Sequence, residues 1–142
     1  MARTLLVRHA HVVTMDPARR EIIDGGLYIE DHRIVAVGTT GTLPDTADEV
    51  LDLAGHIVIP GLVNTHHHFY QTLTRAHPDA INKELFAWLT ALYPVWARLR
   101  PEYLAVATRL ALTELLMSGV TTTSDHHYVF PDGLDAAVDI QV

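Results

Sequence analysis

Cysteine is absent from all 142 residues. That excludes disulfides and thiolate metal sites, including the Cys-x-x-Cys zinc sites of one deaminase fold. Any metal must therefore be held by His, Asp or Glu. Positive charge is scarce as well: 10 Lys+Arg stand against 17 Asp+Glu, for a formal net charge of -7. A ligand read through its phosphate backbone calls for a basic patch, so nucleic acid is not an expected partner. Long apolar runs are also missing. No stretch is long enough to span a bilayer. The apolar start, Leu5-Leu6-Val7, is cut by Arg8-His9 before it reaches the length of a signal-peptide core. The expectation from these absences is a soluble, cytoplasmic protein with no membrane association.

Hydrophobic residues make up 49% of the chain, enough for a real core in something the size of one domain. Histidine is abundant: there are ten, and five of them lie in two clusters, His66-His67-His68 and His126-His127. Residues 3–59 read as β. Thr4-Leu5-Leu6-Val7 and Val12-Val13 are strand-like, and Met15-Asp16-Pro17 and Asp24-Gly25-Gly26 read as turns. Leu27 to Glu30 and Arg33 to Gly38 form an expected hairpin around Asp31-His32. Thr39 to Ala47 reads as loop, and Glu49 to Leu53 and His56 to Ile59 as two further short strands. Short strands with frequent turns suggest a small sandwich or barrel. His9, His11, His32 and His56 read as surface or strand-edge residues within it.

The apolar run Ile57-Val58-Ile59 then leads through Pro60-Gly61 into Leu62-Val63-Asn64-Thr65 and the first histidine cluster. Alternate side chains of an extended strand share a face. His66 and His68 are thus predicted to point one way and His67 the other. A catalytic zinc site commonly has three protein ligands and an open position for water. This segment supplies two imidazoles on one face, half of such a site.

Beyond it, Asn82 is expected to cap a helix that carries an apolar stripe of Leu85, Phe86, Leu89, Leu92, Tyr93 and Trp96, with a kink or restart at Pro94. Pro101-Glu102 opens the clearest helix, with Arg100 as a poor N-cap. Its apolar face is Leu104, Ala107, Ala111, Leu112, Leu115 and Leu116, and Gly119 stops it. Val120 to Ser124 reads as a second strand of this half and ends in Asp125-His126-His127. Parity sends only one of His126 and His127 inward and does not decide which. Pro131-Asp132-Gly133 is a turn, and a helix starts at Leu134.

The segment Pro60-Gly61-Leu62-Val63-Asn64-Thr65-His66-His67-His68 resembles the first barrel strand of the amidohydrolase superfamily: Pro-Gly, two apolar residues, Asn or Asp, any residue, then His-x-His. Asp52 to Ile59 is similar to that family's lead-in. Phe69 to Arg75 and Ser124 to Tyr128 resemble the 8-oxoguanine deaminases, in the branch that also holds guanine deaminases and s-triazine hydrolases. The resemblance implies an α/β fold: a small β-sandwich domain, partial in residues 1–59, followed in residues 60–142 by the N-terminal part of a TIM (β/α)8 barrel. A TIM barrel has eight strands and typically about 250 residues, so the barrel is incomplete in this chain, with two of its strands present.

The resemblance further implies one divalent metal, usually zinc with iron as the alternative, bound by His66 and His68. The remaining ligands and the proton shuttles would lie beyond Val142, so no acid or base is assigned here. It makes Gln71, His126 and His127 candidate substrate contacts and a small aminated heterocycle the substrate, hydrolysed with loss of ammonia. A homo-oligomeric full-length enzyme fits the same family. An s-triazine hydrolase, or a truncated chain without catalysis, are the alternatives.

Overall fold

A computed structural model describes residues 2–141. The chain divides between Pro60 and Gly61 into two compact units.

The first unit is built on one strand. β1 (Thr4–Val13) pairs antiparallel with β2 (Glu21–Glu30) and parallel with β4 (Glu49–Asp52) and β5 (Ile57–Val58); β3 (Arg33–Thr39) lies antiparallel on the far side of β2. The result is a single five-stranded mixed sheet. Two expected strands, Thr4 to Val7 and Val12-Val13, are joined here into one. The pairing register shifts between Val7 and Ala10, and His9 takes a left-handed φ of 60°. A bulge of this kind lets the strand continue past residues that break its alternation. The His9 N–H is kept satisfied by Thr40 Oγ1 at 3.0 Å, and its ring meets Asp24 Oδ1 at 3.0 Å.

Asp24-Gly25-Gly26 is not the turn expected from its composition; it lies inside β2. The glycines serve close packing instead. A Cβ on Gly25 would sit 2.8 Å from the Ile22 carbonyl oxygen, and one on Gly26 would overlap the Val7 carbonyl of the neighbouring strand. The Asp31-His32 hairpin is as expected, with Asp31 left-handed at φ 51° and its carboxylate accepting the Arg3 N–H at 2.8 Å. Val7, Ala10 and Val12 are the buried centre, covered by Ile22, Leu27, Val37, Leu53 and Val58.

The second unit is a strand–helix–strand arrangement. β6 (Leu62–Asn64) and β7 (Val120–Thr123) lie parallel, in the register Leu62 to Val120 and Asn64 to Thr123. Between them come a 3-10 segment (Phe69–Thr74), α1 (Leu85–Trp96) and α2 (Pro101–Met117); α3 (Leu134–Gln141) follows β7. Parallel strands need such a crossover, and it is the repeating element of a TIM barrel. α2 matches its expected limits. Pro101 occupies the first turn, Arg100 makes no side-chain cap, and Gly119 at φ 81° closes the end, its N–H bonded to the Leu116 carbonyl at 3.0 Å.

α1 departs from expectation at its start. Asn82 adopts a left-handed φ of 61°, which Asn tolerates in turns, so the helix begins at Leu85 with Glu84 in the cap position. The expected stripe is therefore buried only in its second half. Leu92 and Trp96 are in the core, whereas Leu85 and Phe86 are 62% and 82% exposed. Nor does the helix restart at Pro94. It runs two residues further and closes at Trp96, where the Ala97 N–H reaches the Tyr93 carbonyl at 2.9 Å. Leu104, Ala107, Ala111 and Leu115 bury the inner face of α2, while Leu116 lies 67% exposed. Tyr70, Ala80, Leu92, Trp96, Leu104 and Ala137 form the main core; Phe69, Ala111 and Leu115 form a second cluster.

Gly26→Ala should destabilise the sheet by about 1–3 kcal/mol in urea unfolding, because the clash is with backbone. Gly41→Ala, which meets nothing within 4 Å, should stay within about 0.5 kcal/mol of the parent. Equal behaviour of the two variants would show that the β1–β2 approach does not need the glycine.

Candidate metal centre

The site stands where β6 and β7 end side by side. Gly61 permits this approach, since a Cβ there would collide with the Thr121 side chain. Hydrogen bonds carry the alignment past the last ladder residues. The Ser124 N–H donates to the Asn64 carbonyl at 3.0 Å, Ser124 Oγ to the Thr65 carbonyl at 2.8 Å, and the His126 N–H to the His67 carbonyl at 2.7 Å. Asn64 also turns the exit of its own strand, its Oδ1 accepting the His66 N–H at 3.0 Å. The histidines thus lie on an irregular continuation of β6, just past the strand on which they were expected.

His66 Nε2 and His68 Nε2 approach to 3.2 Å. His67 lines the same cavity but packs edge-on to Phe69, with its Nδ1 buried and, among the described residues, unpartnered. Burial, opposed by the Asp125 carboxylate, holds the His67 imidazole below the usual histidine range.

One further bond decides what the pair can do. His68 Nδ1 lies 2.6 Å from the His126 carbonyl oxygen, which can only accept, so the proton of a neutral His68 is on Nδ1. Nε2 is then a bare lone pair aimed at its neighbour. Two imidazole nitrogens each bound about 2.0–2.1 Å from a zinc ion at a tetrahedral angle are about 3.3 Å apart. The observed separation fits that geometry. The two residues suit a shared divalent cation in donor type and spacing, and His68 does so in tautomer as well. Among the described residues no group of three or more His, Cys, Asp or Glu converges on one point, so this is a half-site.

The ambiguity between His126 and His127 is resolved by their rings. His126 stacks on His66 at 4.4 Å between centroids, with 25° between the planes. His127 turns into the core between Tyr70 and Phe130, its side chain 10% exposed and its Nδ1 3.0 Å from Asp125 Oδ2. Gln71 lines the same cavity of ≈ 300 Å³ as His66 and His68, together with Thr72, Thr74, Arg75 and Trp88. Its Nε2 donates to Tyr70 Oη at 3.1 Å. Burial pushes that phenol up from the ordinary tyrosine value. Arg75 is held over the cavity edge by a two-pronged contact with Glu114, at 3.2 and 2.7 Å.

The structure therefore brings His66, His68, His126 and Gln71 together and leaves His127 apart. It adds Tyr128, whose ring lies 5.3 Å from that of His68. In the sequence Tyr128 stood out only as the end of the Ser124 to Tyr128 segment, with no role assigned to it.

A sequence model of the amidohydrolase family matches residues 57–141. An 8-oxoguanine deaminase from Pseudomonas aeruginosa is 58% identical over 118 residues, covering 82% of this chain and 26% of that protein. A 5'-deoxyadenosine deaminase from Methanosarcina mazei is 37% identical over 136 residues, covering 95% of this chain and 30% of the other. Among solved structures, an atrazine chlorohydrolase from Arthrobacter aurescens TC1 complexed with zinc superposes with a TM-score of 0.84 at 31% identity. That match takes in 96% of this chain and 32% of the neighbour.

The chain belongs to the amidohydrolase family. It spans about a quarter to a third of the length of the relatives it matches.

A two-ligand site binds weakly. Calorimetry of the 142-residue chain with zinc should give a dissociation constant well above micromolar, abolished by His66→Ala. Submicromolar one-to-one binding that survives His66→Ala would place the cation elsewhere.

Proposed function

We propose that residues 1–142 form part of a metal-dependent deaminase of aminated heterocycles, with 8-oxoguanine as substrate and urate and ammonia as products. The observation that carries the reading is the convergence of His66 and His68 Nε2 at 3.2 Å, with His68 Nδ1 committed to a carbonyl. The identity of 58% to an 8-oxoguanine deaminase supports the substrate. In this reading residues 1–59 are part of a small β-sandwich domain, and residues 60–142 are the start of the barrel. The remaining metal ligands and the acid–base groups come from outside these residues, in a chain of its relatives' length.

His66 and His68 would hold the metal, zinc by the likeness to a zinc-bound neighbour and iron as the alternative. When bound, a divalent cation in such a site supplies water activation at neutral pH. Everything else falls to side chains. Asn64 sets the direction of His66, and the His126 carbonyl keeps the His68 proton on the outer nitrogen. Gln71 both donates and accepts, which suits the edge of a purine ring. The His126 imidazole, stacked on His66, is the second substrate-facing group. His127, in the core, is not in contact with substrate. The setting implied is a cytoplasmic small-molecule enzyme, homo-oligomeric at full length, with neither nucleic acid nor membrane as partner.

The zinc-bound chlorohydrolase neighbour, with its TM-score of 0.84, favours a second reading: displacement of a leaving group from an s-triazine ring. A substrate panel on the longer chain separates the two. Ammonia release from 8-oxoguanine should exceed that from guanine and 5'-deoxyadenosine, and atrazine should be inert. His66→Ala or His68→Ala should lower kcat/KM by more than about 100-fold, since even outer partners of metal ligands are worth 10–100-fold. Turnover of atrazine alone would overturn the deaminase reading. Full activity without either histidine would overturn the metal site. The 142 residues by themselves should release no ammonia.

A further inference from the structure

Asp125 carries more hydrogen bonds than its place at a strand exit requires. Its side chain is 5% exposed. Oδ1 accepts the Phe69 N–H at 2.9 Å; Oδ2 accepts from His127 Nδ1 at 3.0 Å and from Gln141 Nε2 at 2.7 Å. The next residue, His126, donates its N–H to the His67 carbonyl and accepts from His68 Nδ1. Asp125 and His126 therefore grip three successive residues, 67 to 69, with His68 in the middle.

We propose that Asp125 is a positioning residue for His68. By fixing the 125–127 segment it holds the His126 carbonyl against His68 Nδ1 and so keeps Nε2 free as a metal-binding lone pair. This rests on the reading of His66 and His68 as a metal pair.

The ladder between β6 and β7 ends at Thr123; beyond it residue 126 is held by its own N–H bond to the His67 carbonyl, and Asp125 braces the segment on both sides. One oxygen is tied to the Phe69 N–H beside His68 and the other to the core imidazole of His127. If that brace is lost, the His126 carbonyl shifts and its hold on the His68 proton weakens. The ring then also populates the form with its proton on Nε2, which offers no lone pair toward His66.

The test is histidine ring ¹⁵N spectroscopy of the 142-residue chain at about pH 8, above the ordinary histidine value, with zinc titrated into the same samples. The parent should show His68 as a single tautomer protonated on Nδ1. Asp125→Ala should show mixed tautomers at His68 and roughly 10–100-fold weaker zinc binding. Gln141→Ala, which removes one donor from Oδ2 and leaves the bonds to the Phe69 N–H and His127 in place, should lower the melting temperature and leave the tautomer unchanged.

A folded Asp125→Ala with an unchanged His68 tautomer overturns the proposal, as does tautomer mixing in Gln141→Ala equal to that in Asp125→Ala. If Asp125→Ala does not fold, Asp125→Glu carries the test, since the longer arm displaces the clamp: mixing supports the proposal and an unchanged ring refutes it. If the parent binds no zinc at all yet Asp125→Ala still scrambles the tautomer, the metal reading fails and the positioning role stands.

Discussion

The second unit depends on the bond from His68 Nδ1 to the His126 carbonyl, 2.6 Å long and spanning 58 residues of sequence. It joins the exits of two parallel strands, and it also fixes the protonation pattern of an imidazole. A single neutral hydrogen bond contributes only about 1 kcal/mol to stability. Its larger effect is chemical. Without it, His68 would divide its population between two tautomers, and only one of them leaves Nε2 free beside His66.

The surrounding sequence serves that contact in steps. Pro60-Gly61 admits β7 closely enough for pairing, Asn64 bends the chain as it leaves β6, and Ser124 extends the pairing by two bonds to residues 64 and 65. α2 makes the crossover parallel by burying Ala111 and Leu115 against Phe69, the residue directly after the histidines. Small residues on that face let the helix lie close to the segment that carries the site. The site and the core are thus built from adjacent residues: 66 to 68 line the cavity, while 69 and 70 are buried.

Several of these features were legible in the sequence because they are local. Strand parity placed His66 and His68 on one side, the Pro101 start and Gly119 stop of α2 follow from backbone preferences, and the Asp31-His32 hairpin follows from turn chemistry. The features that were not legible depend on partners far along the chain. Asp24-Gly25-Gly26 has a turn's composition, but its glycines answer to the Val7 carbonyl on the next strand. Asn82 is a good helix cap and a good left-handed residue, and the chain takes the second form there. His126 and His127 are identical in type, so only Asp125, Tyr70 and His66 decide which ring stacks beside His66 and which enters the core. Membership of the amidohydrolase family was readable from one nine-residue motif because that motif contains the strand entry, the bend and both converging histidines.

The most direct measurement is anomalous diffraction at the zinc edge from crystals of this chain soaked in millimolar zinc. The account predicts one peak bonded to both His66 Nε2 and His68 Nε2, about 2.0–2.1 Å from each, with the His68 Nδ1 contact to residue 126 intact. Zinc bound only at other histidines, with the rings of 66 and 68 turned apart, would contradict it.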